Sequence, residues 1–141
     1  MEIDDITANS WFNATSVPAA LNHPNVAAVN GSFTFWAAWS TSGSPSKPWA
    51  ARSSMAPTTD TWMSIPSVPA GTERGSAVFG VSGNEIILAD GVTFIQLAFN
   101  GRQEMVDTVS TYNTKTKTWR SLPALPEGRE QAGGMVVANK L

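Results

Sequence analysis

Apolar residues in this chain come in short runs, each closed by a turn pair and answered by a second short run. Val26-Ala27-Ala28-Val29 leads through Asn30-Gly31 into Phe33-Thr34-Phe35-Trp36, and Ala77-Val78-Phe79-Gly80-Val81 leads through Ser82-Gly83-Asn84 into Ile86-Ile87-Leu88. Runs this short, joined by a glycine that supplies positive φ, predict tight β-hairpins. A third run, Met135-Val136-Val137-Ala138-Asn139, starts the same way and ends two residues before Leu141. Val92 to Phe99, ended by Asn100-Gly101, predicts a further strand or a hairpin of its own, and Ser42 to Pro48 has the composition of a flexible loop.

The hairpins belong to a longer repeat. Thr61-Trp62-Met63-Ser64-Ile65-Pro66-Ser67-Val68-Pro69 matches Thr118-Trp119-Arg120-Ser121-Leu122-Pro123-Ala124-Leu125-Pro126, and Ser10-Trp11 through Val17-Pro18 is a weaker third copy. The three tryptophans are 51 and 57 residues apart, and the longer connection from Gly91 to Asp107 accounts for most of the difference. Before each Trp lies a strand-and-polar-turn segment: Ser53 to Asp60, Ser110 to Lys117 and, for the first copy, Met1 to Asn9. Four short strands per period of about 50 residues is the arithmetic of a propeller blade.

At these residues the chain resembles the kelch-repeat family. The resemblance rests on Tyr112-Asn113-x-x-Thr116-x-x-Trp119, Leu122-Pro123-x-Leu125-Pro126, Gly128-Arg129 and the hairpin turns, and it covers essentially the whole chain. The family's paired glycines at the end of the second strand are replaced by Ala37-Ala38 and by Ala89-Asp90 followed by Gly91. The resemblance implies an all-β fold: four-stranded antiparallel blades of a β-propeller, with 141 residues making one partial domain divided as 1–18, 19–69, 70–126 and 127–141. The ring is then incomplete, which implies missing blades or self-association. In each blade the run after the prolines lies nearest the channel and the Trp strand lies outermost. Trp11, Trp62 and Trp119, with Pro18, Pro69, Pro126 and Tyr112, are then structural repeat positions that bury area between blades. Trp36, Trp39 and Trp49 do not recur; they are candidates for an aromatic contact, Trp36 also continuing a strand as core would.

The resemblance also implies a ligand face built from two kinds of loop. Loops leading from an outer strand to the next inner strand carry His23, Arg74 and Arg129; loops after the second strand carry Trp39, Ser40 and Thr41 in one blade and Asp90 and Gly91 in the next. An arginine there either reaches a carboxylate through its two-pronged guanidinium or bonds loop carbonyls. Glu73-Arg74 and Arg129-Glu130 read as side-by-side surface charge pairs, which contribute little.

Composition narrows the chemistry. Charged residues make up only 14% of the chain, the net charge is −2 and the isoelectric point is near 5.2, with no basic run to meet nucleic acid. There is no cysteine, one histidine and one tyrosine, so no metal site or cofactor is expected and His23 would be the sole imidazole base. Ile6 to Ser46 lacks charge, yet prolines, asparagines and glycine interrupt it well short of a spanning helix, so no membrane span is expected. Without a signal peptide at Met1 to Asp5, the sequence leans towards the cytoplasm. The sequons at Asn13 and Asn30 would matter only after secretion, and Asn30 is already explained by its turn.

These features favour a non-enzymatic interaction module that offers propeller loops to a protein or small ligand. The alternatives are part of a propeller enzyme, similar to galactose oxidase or to sugar epimerases, and an extracellular carbohydrate-binding propeller. The oxidase chemistry needs a Cys–Tyr crosslink and further His and Tyr ligands that this sequence does not contain.

Overall fold

A computed structural model describes residues 1–40, 48–96 and 102–141, with residues 37–40, 48–52, 95 and 96 described through the backbone alone. Every pairing between strands is antiparallel, and the described residues contain no helix. The chain opens with a ribbon of β1 (Glu2–Asp5) and β2 (Ser10–Asn13). The first sheet holds β4 (Asn25–Val29), β5 (Ser32–Ser40), β6 (Pro48–Ala56) and β7 (Thr61–Ser64) in that order, with β3 (Leu21–Asn22) pairing the far end of β5. The second holds β8 (Val78–Ser82), β9 (Glu85–Ala89), β12 (Val109–Asn113) and β13 (Thr118–Leu122). Each is built on a four-stranded meander, the first with β3 as a fifth strand, and neither closes on itself or into a ring.

The polar turns before the tryptophans share one backbone solution. Asn9, Asp60 and Lys117, each two residues before its Trp, have φ of 51°, 48° and 59°. Side-chain oxygens close two of these turns: Asp5 Oδ1 accepts the N–H groups of Thr7 and Ala8, both at 2.9 Å, and Asn113 Oδ1 accepts those of Lys115 and Thr116, both at 3.0 Å.

The core lies between the two sheets. Strand alternation turns Ala27, Val29 and Trp36 of the first sheet towards Ile86, Leu88 and Tyr112 of the second, with Ile65 and Val68 beside them. Trp36 meets Tyr112 and Trp119 edge-on, with ring centroids 5.1 and 5.5 Å apart. It is 1% exposed, so it is core and not a ligand contact, and its Nε1–H has no acceptor among the described residues.

Two series of hydrogen bonds join equivalent positions of successive copies. Trp62 Nε1 donates to the Thr15 carbonyl at 3.1 Å, and Trp119 Nε1 donates to the Pro66 carbonyl at 3.4 Å. Each acceptor lies four residues beyond the Trp of the preceding copy. At the start of the inner strands, Ser76 N–H donates to the His23 carbonyl at 3.5 Å and Gln131 N–H to the Ser76 carbonyl at 3.2 Å. His23, Ser76 and Gln131 all have positive φ, 51°, 55° and 51°.

Between β9 and β12 the chain forms an extra ribbon, β10 (Val92–Gln96) with β11 (Arg102–Met105). Its base is held: Val92 and Gly75 exchange both backbone bonds at 2.9 and 3.1 Å, and Val106 N–H donates to the Gly91 carbonyl at 3.0 Å. The expected strand or hairpin after Gly91 is therefore present, although its tip at 97–101 lies outside the described residues, as does the loop at 41–47.

Two expectations are corrected. Trp11 does not bury its ring against a sheet; it is 70% exposed, because among the described residues no sheet packs over that side of the β1–β2 ribbon. Met135 to Asn139 does not form a strand but only a bridge between Val137 and Lys140, having no described strand to pair with.

Candidate functional site

The loops entering the inner strands gather most of the candidate residues, but they divide between interior and surface. Arg74 is wholly buried. Its Nε donates to the Asp90 carbonyl at 2.7 Å, Nη1 to the Thr72 carbonyl at 2.9 Å, and Nη2 to the Leu88 carbonyl at 3.1 Å and Ser110 Oγ at 3.4 Å. The guanidinium thus caps the carbonyl end of β9 and ties it to β12. Glu73 turns away and accepts from Gly71 N–H, so Glu73-Arg74 is not a surface ion pair. Burial draws the Arg74 pKa down to about 10 against the attraction of Asp90, leaving it charged at neutral pH. The Arg74 carbonyl accepts from Asn25 Nδ2 at 2.8 Å, and Asn25 Oδ1 accepts from Ala77 N–H, so the network crosses into the first sheet.

Asp90 is buried too, with φ of 56°, and its Oδ1 accepts the Val78 N–H at 3.0 Å. Gly91 follows at φ 109°, where a Cβ would lie 2.8 Å from the Gly75 carbonyl. Two successive left-handed residues are what a glycine pair provides without strain; Asp90 holds the first such position by capping Val78. Ala37-Ala38 does not turn there, because β5 runs on to Ser40.

Burial, the largest cause, pushes the Asp90 carboxyl above the usual aspartate range, opposed by the Val78 N–H and by Arg74 and Arg129. A raised folded-state pKa means that the charged form is disfavoured in the fold, so this penalty is full well above the raised pKa and fades as pH falls through it. Asp90→Asn keeps an acceptor for Val78 and tolerates positive φ. The expected result is that wild type gains on Asp90→Asn as pH falls, read as urea midpoints at neutral pH and near pH 4. A gap independent of pH would contradict this.

His23 and Arg129 are exposed, and Trp39 stands near the end of β5 with its side chain outside the described residues. Arg129 lies 3.9 Å from Glu127 and not against Glu130, while its carbonyl accepts from Gly91 N–H. The structure therefore brings Arg74 and Asp90 together as an internal brace and leaves His23 and Arg129 on the surface.

The opposite rim carries a feature the sequence reading missed. The Asn30 and Asn84 hairpin turns and the 114–117 turn enclose a cleft of about 320 Å³ between the sheets. Val29, Ile65 and Tyr112 supply its apolar part, Ser32, Thr34, Ser54 and Thr114 its hydroxyls, and Lys115 and Lys117 its cations. Asn30 Nδ2 reaches Asn84 Oδ1 at 3.2 Å and Thr114 Oγ1 at 3.5 Å across the gap. No acidic residue lines the cleft, and neither lysine has an ion-pair partner among the described residues. The signal in the sequence was Lys115-x-Lys117 in a turn that faces two asparagine turns, which becomes visible only once the blades are placed side by side.

Among the described residues no three His, Cys, Asp or Glu side chains come together as metal ligands would, and no helix is long and apolar enough to cross a membrane.

No family model matches the chain. Among curated proteins it is similar to "Kelch-like protein terF" of Aspergillus terreus, 33% identical over 137 residues, which is 92% of this chain and 28% of that protein. The chain thus spans little more than a quarter of the length of the relative it matches. The Trp-Pro repeat, the four-stranded meanders stitched at equivalent positions and this likeness agree: the two sheets are built as kelch-like propeller blades, and the likeness supports a partial kelch-repeat domain.

Proposed function

We propose that this chain is a non-catalytic interaction module that holds a carboxylate-bearing ligand through its loops, in the cleft between the Asn30, Asn84 and 114–117 turns. The observation that carries the reading is the lining of that cleft, which sets hydroxyls and amides beside two lysines and includes no acid. Such a site donates hydrogen bonds to a carboxylate and balances its charge, while Tyr112 and Ile65 offer apolar contact. The chemistry is positioning and recognition; no nucleophile with an adjacent base is needed for it. The name of the similar protein, a Kelch-like protein, fits an interaction role.

The test is an NMR titration with hexaglutamate as probe. Amide shifts are expected at Asn30, Asn84 and Lys115, and binding should weaken at least about tenfold in Lys115→Ala/Lys117→Ala, the scale of one lost charge-assisted contact. Absence of shifts at millimolar probe, or shifts confined to His23 and Arg129 on the other rim, would overturn the placement. Turnover of a sugar or alcohol by the purified chain would overturn the non-catalytic reading.

A further inference from the structure

The two ends of this blade pair carry complementary halves of the contact that joins the blades internally. Between the described blades, a Trp on one copy covers an apolar strip on the preceding copy and its indole donates to a carbonyl four residues past that copy's Trp. At one end of the molecule the donor stands unused. Trp11, the equivalent of Trp62 and Trp119, is 70% exposed, and its indole N–H has no acceptor among the described residues.

At the other end stands the acceptor. The Pro123 carbonyl is the repeat equivalent of Thr15 and Pro66, and Pro123 borders an open cleft of about 460 Å³ with Val78, Ile87, Ala89, Leu122 and Leu125. This is the outward face of the second blade. The C-terminal segment borders its other side through Ala132, Gly133, Gly134, Asn139 and Leu141, with Gly134 against Val78 and with Val136 and Leu141 against Gly80.

Charge follows the same equivalence. Arg129 occupies the repeat position of Arg74, but its guanidinium is exposed; its ion pair among the described residues is a loose one to Glu127, at 3.9 Å, and it also attracts the Asp90 carboxyl. In the second blade Arg74 meets Ser110, which pairs with the residue two beyond Trp119. The corresponding residue of the first ribbon is Glu2, which pairs with Asn13, two beyond Trp11. The position that would face Arg129 is therefore a carboxylate. Asp90 also borders the cleft, but its Oδ1 is held by the Val78 N–H.

The geometry points to a second copy of this chain as the occupant, bound head to tail. Trp11 of one copy enters the cleft beside Leu122 and Leu125 of the next, its indole donates to the Pro123 carbonyl, and Glu2 meets Arg129. The contact continues the internal interface and is heterologous, so it propagates instead of stopping at a symmetric dimer. It rests on the blade equivalences and not on the proposed ligand cleft.

Two exposed substitutions test it, chosen so that neither disturbs the core: Trp11→Ala spoils one face and Arg129→Glu the other. In sedimentation velocity from about 5 to 500 µM, the wild type is expected to show concentration-dependent growth beyond dimer, and each variant to associate at least tenfold more weakly. Mixed one to one, the variants are expected to form a heterodimer and nothing larger, since one intact face of each kind remains. A wild type monomeric throughout, variants that associate like wild type, or a mixture that stays monomeric would each overturn the proposal. Far-UV circular dichroism on the same samples separates these outcomes from loss of the β fold.

Discussion

Arg74→Met is expected to destabilise the chain by about 3–5 kcal/mol, the range for stripping one partner from a buried charged network. The methionine fills much of the volume but leaves the carbonyls of Thr72, Leu88 and Asp90 without their donor, and it leaves the buried Asp90 carboxylate without its nearest cation. Arg74→Lys should recover only part of the loss, because one ammonium cannot span four acceptors that a planar fork reaches at once. Adding Asp90→Asn to Arg74→Met should restore some stability by removing the stranded charge, a coupling that a double-mutant cycle reads directly. Urea unfolding followed by tryptophan fluorescence provides the measurement. A loss below about 0.5 kcal/mol would mean that Arg74 behaves as a surface residue.

Trp36→Ala is the second large effect, about 3–5 kcal/mol for removing a fully buried aromatic from a packed interface. The ring is the point where the first blade meets Tyr112 and Trp119 of the second, so its loss opens the space between blades. Trp36→Phe should cost far less, about 1 kcal/mol. It keeps an aromatic edge against both neighbours and removes an indole N–H that is buried without an acceptor among the described residues, a group whose desolvation itself costs about 1–3 kcal/mol. If Phe and Ala prove equally damaging, the unpaired donor is not the reason for the difference.

The blade plan was legible because its markers are periodic. Trp62 and Trp119 with their prolines, and the glycine-bearing hairpins, fixed strand number and order before any coordinates. The site was less legible, for two physical reasons. Glu73-Arg74 looks like an exposed pair in a polar loop; only the path of that loop, turning Arg74 under the end of β9, reveals that carbonyls and not a ligand take up its donors. The lysine-lined cleft is assembled from turns some 30 to 85 residues apart in the chain, Asn30, Asn84 and Thr114 among them, and no local window contains it. Trp36 shows the converse. It breaks the repeat, yet its place in the continuation of a strand marked it as core, and its alternation within β5 does point it inward.

The clamp at the foot of the β10–β11 ribbon bears on how such chains can diverge. Gly75, Gly91, Val92 and Val106 hold the ribbon where it leaves the blade, while Asp90 N–H bonds the Thr108 carbonyl and Leu125 N–H the Asp107 carbonyl just beyond. The strand register of the second blade is therefore settled below the ribbon, and residues added or removed above it leave the pairing of β9 with β12 untouched. A connection there can lengthen, shorten or acquire a new surface without forcing a compensating change in the neighbouring strand pairing, so the architecture isolates this segment from the register it interrupts.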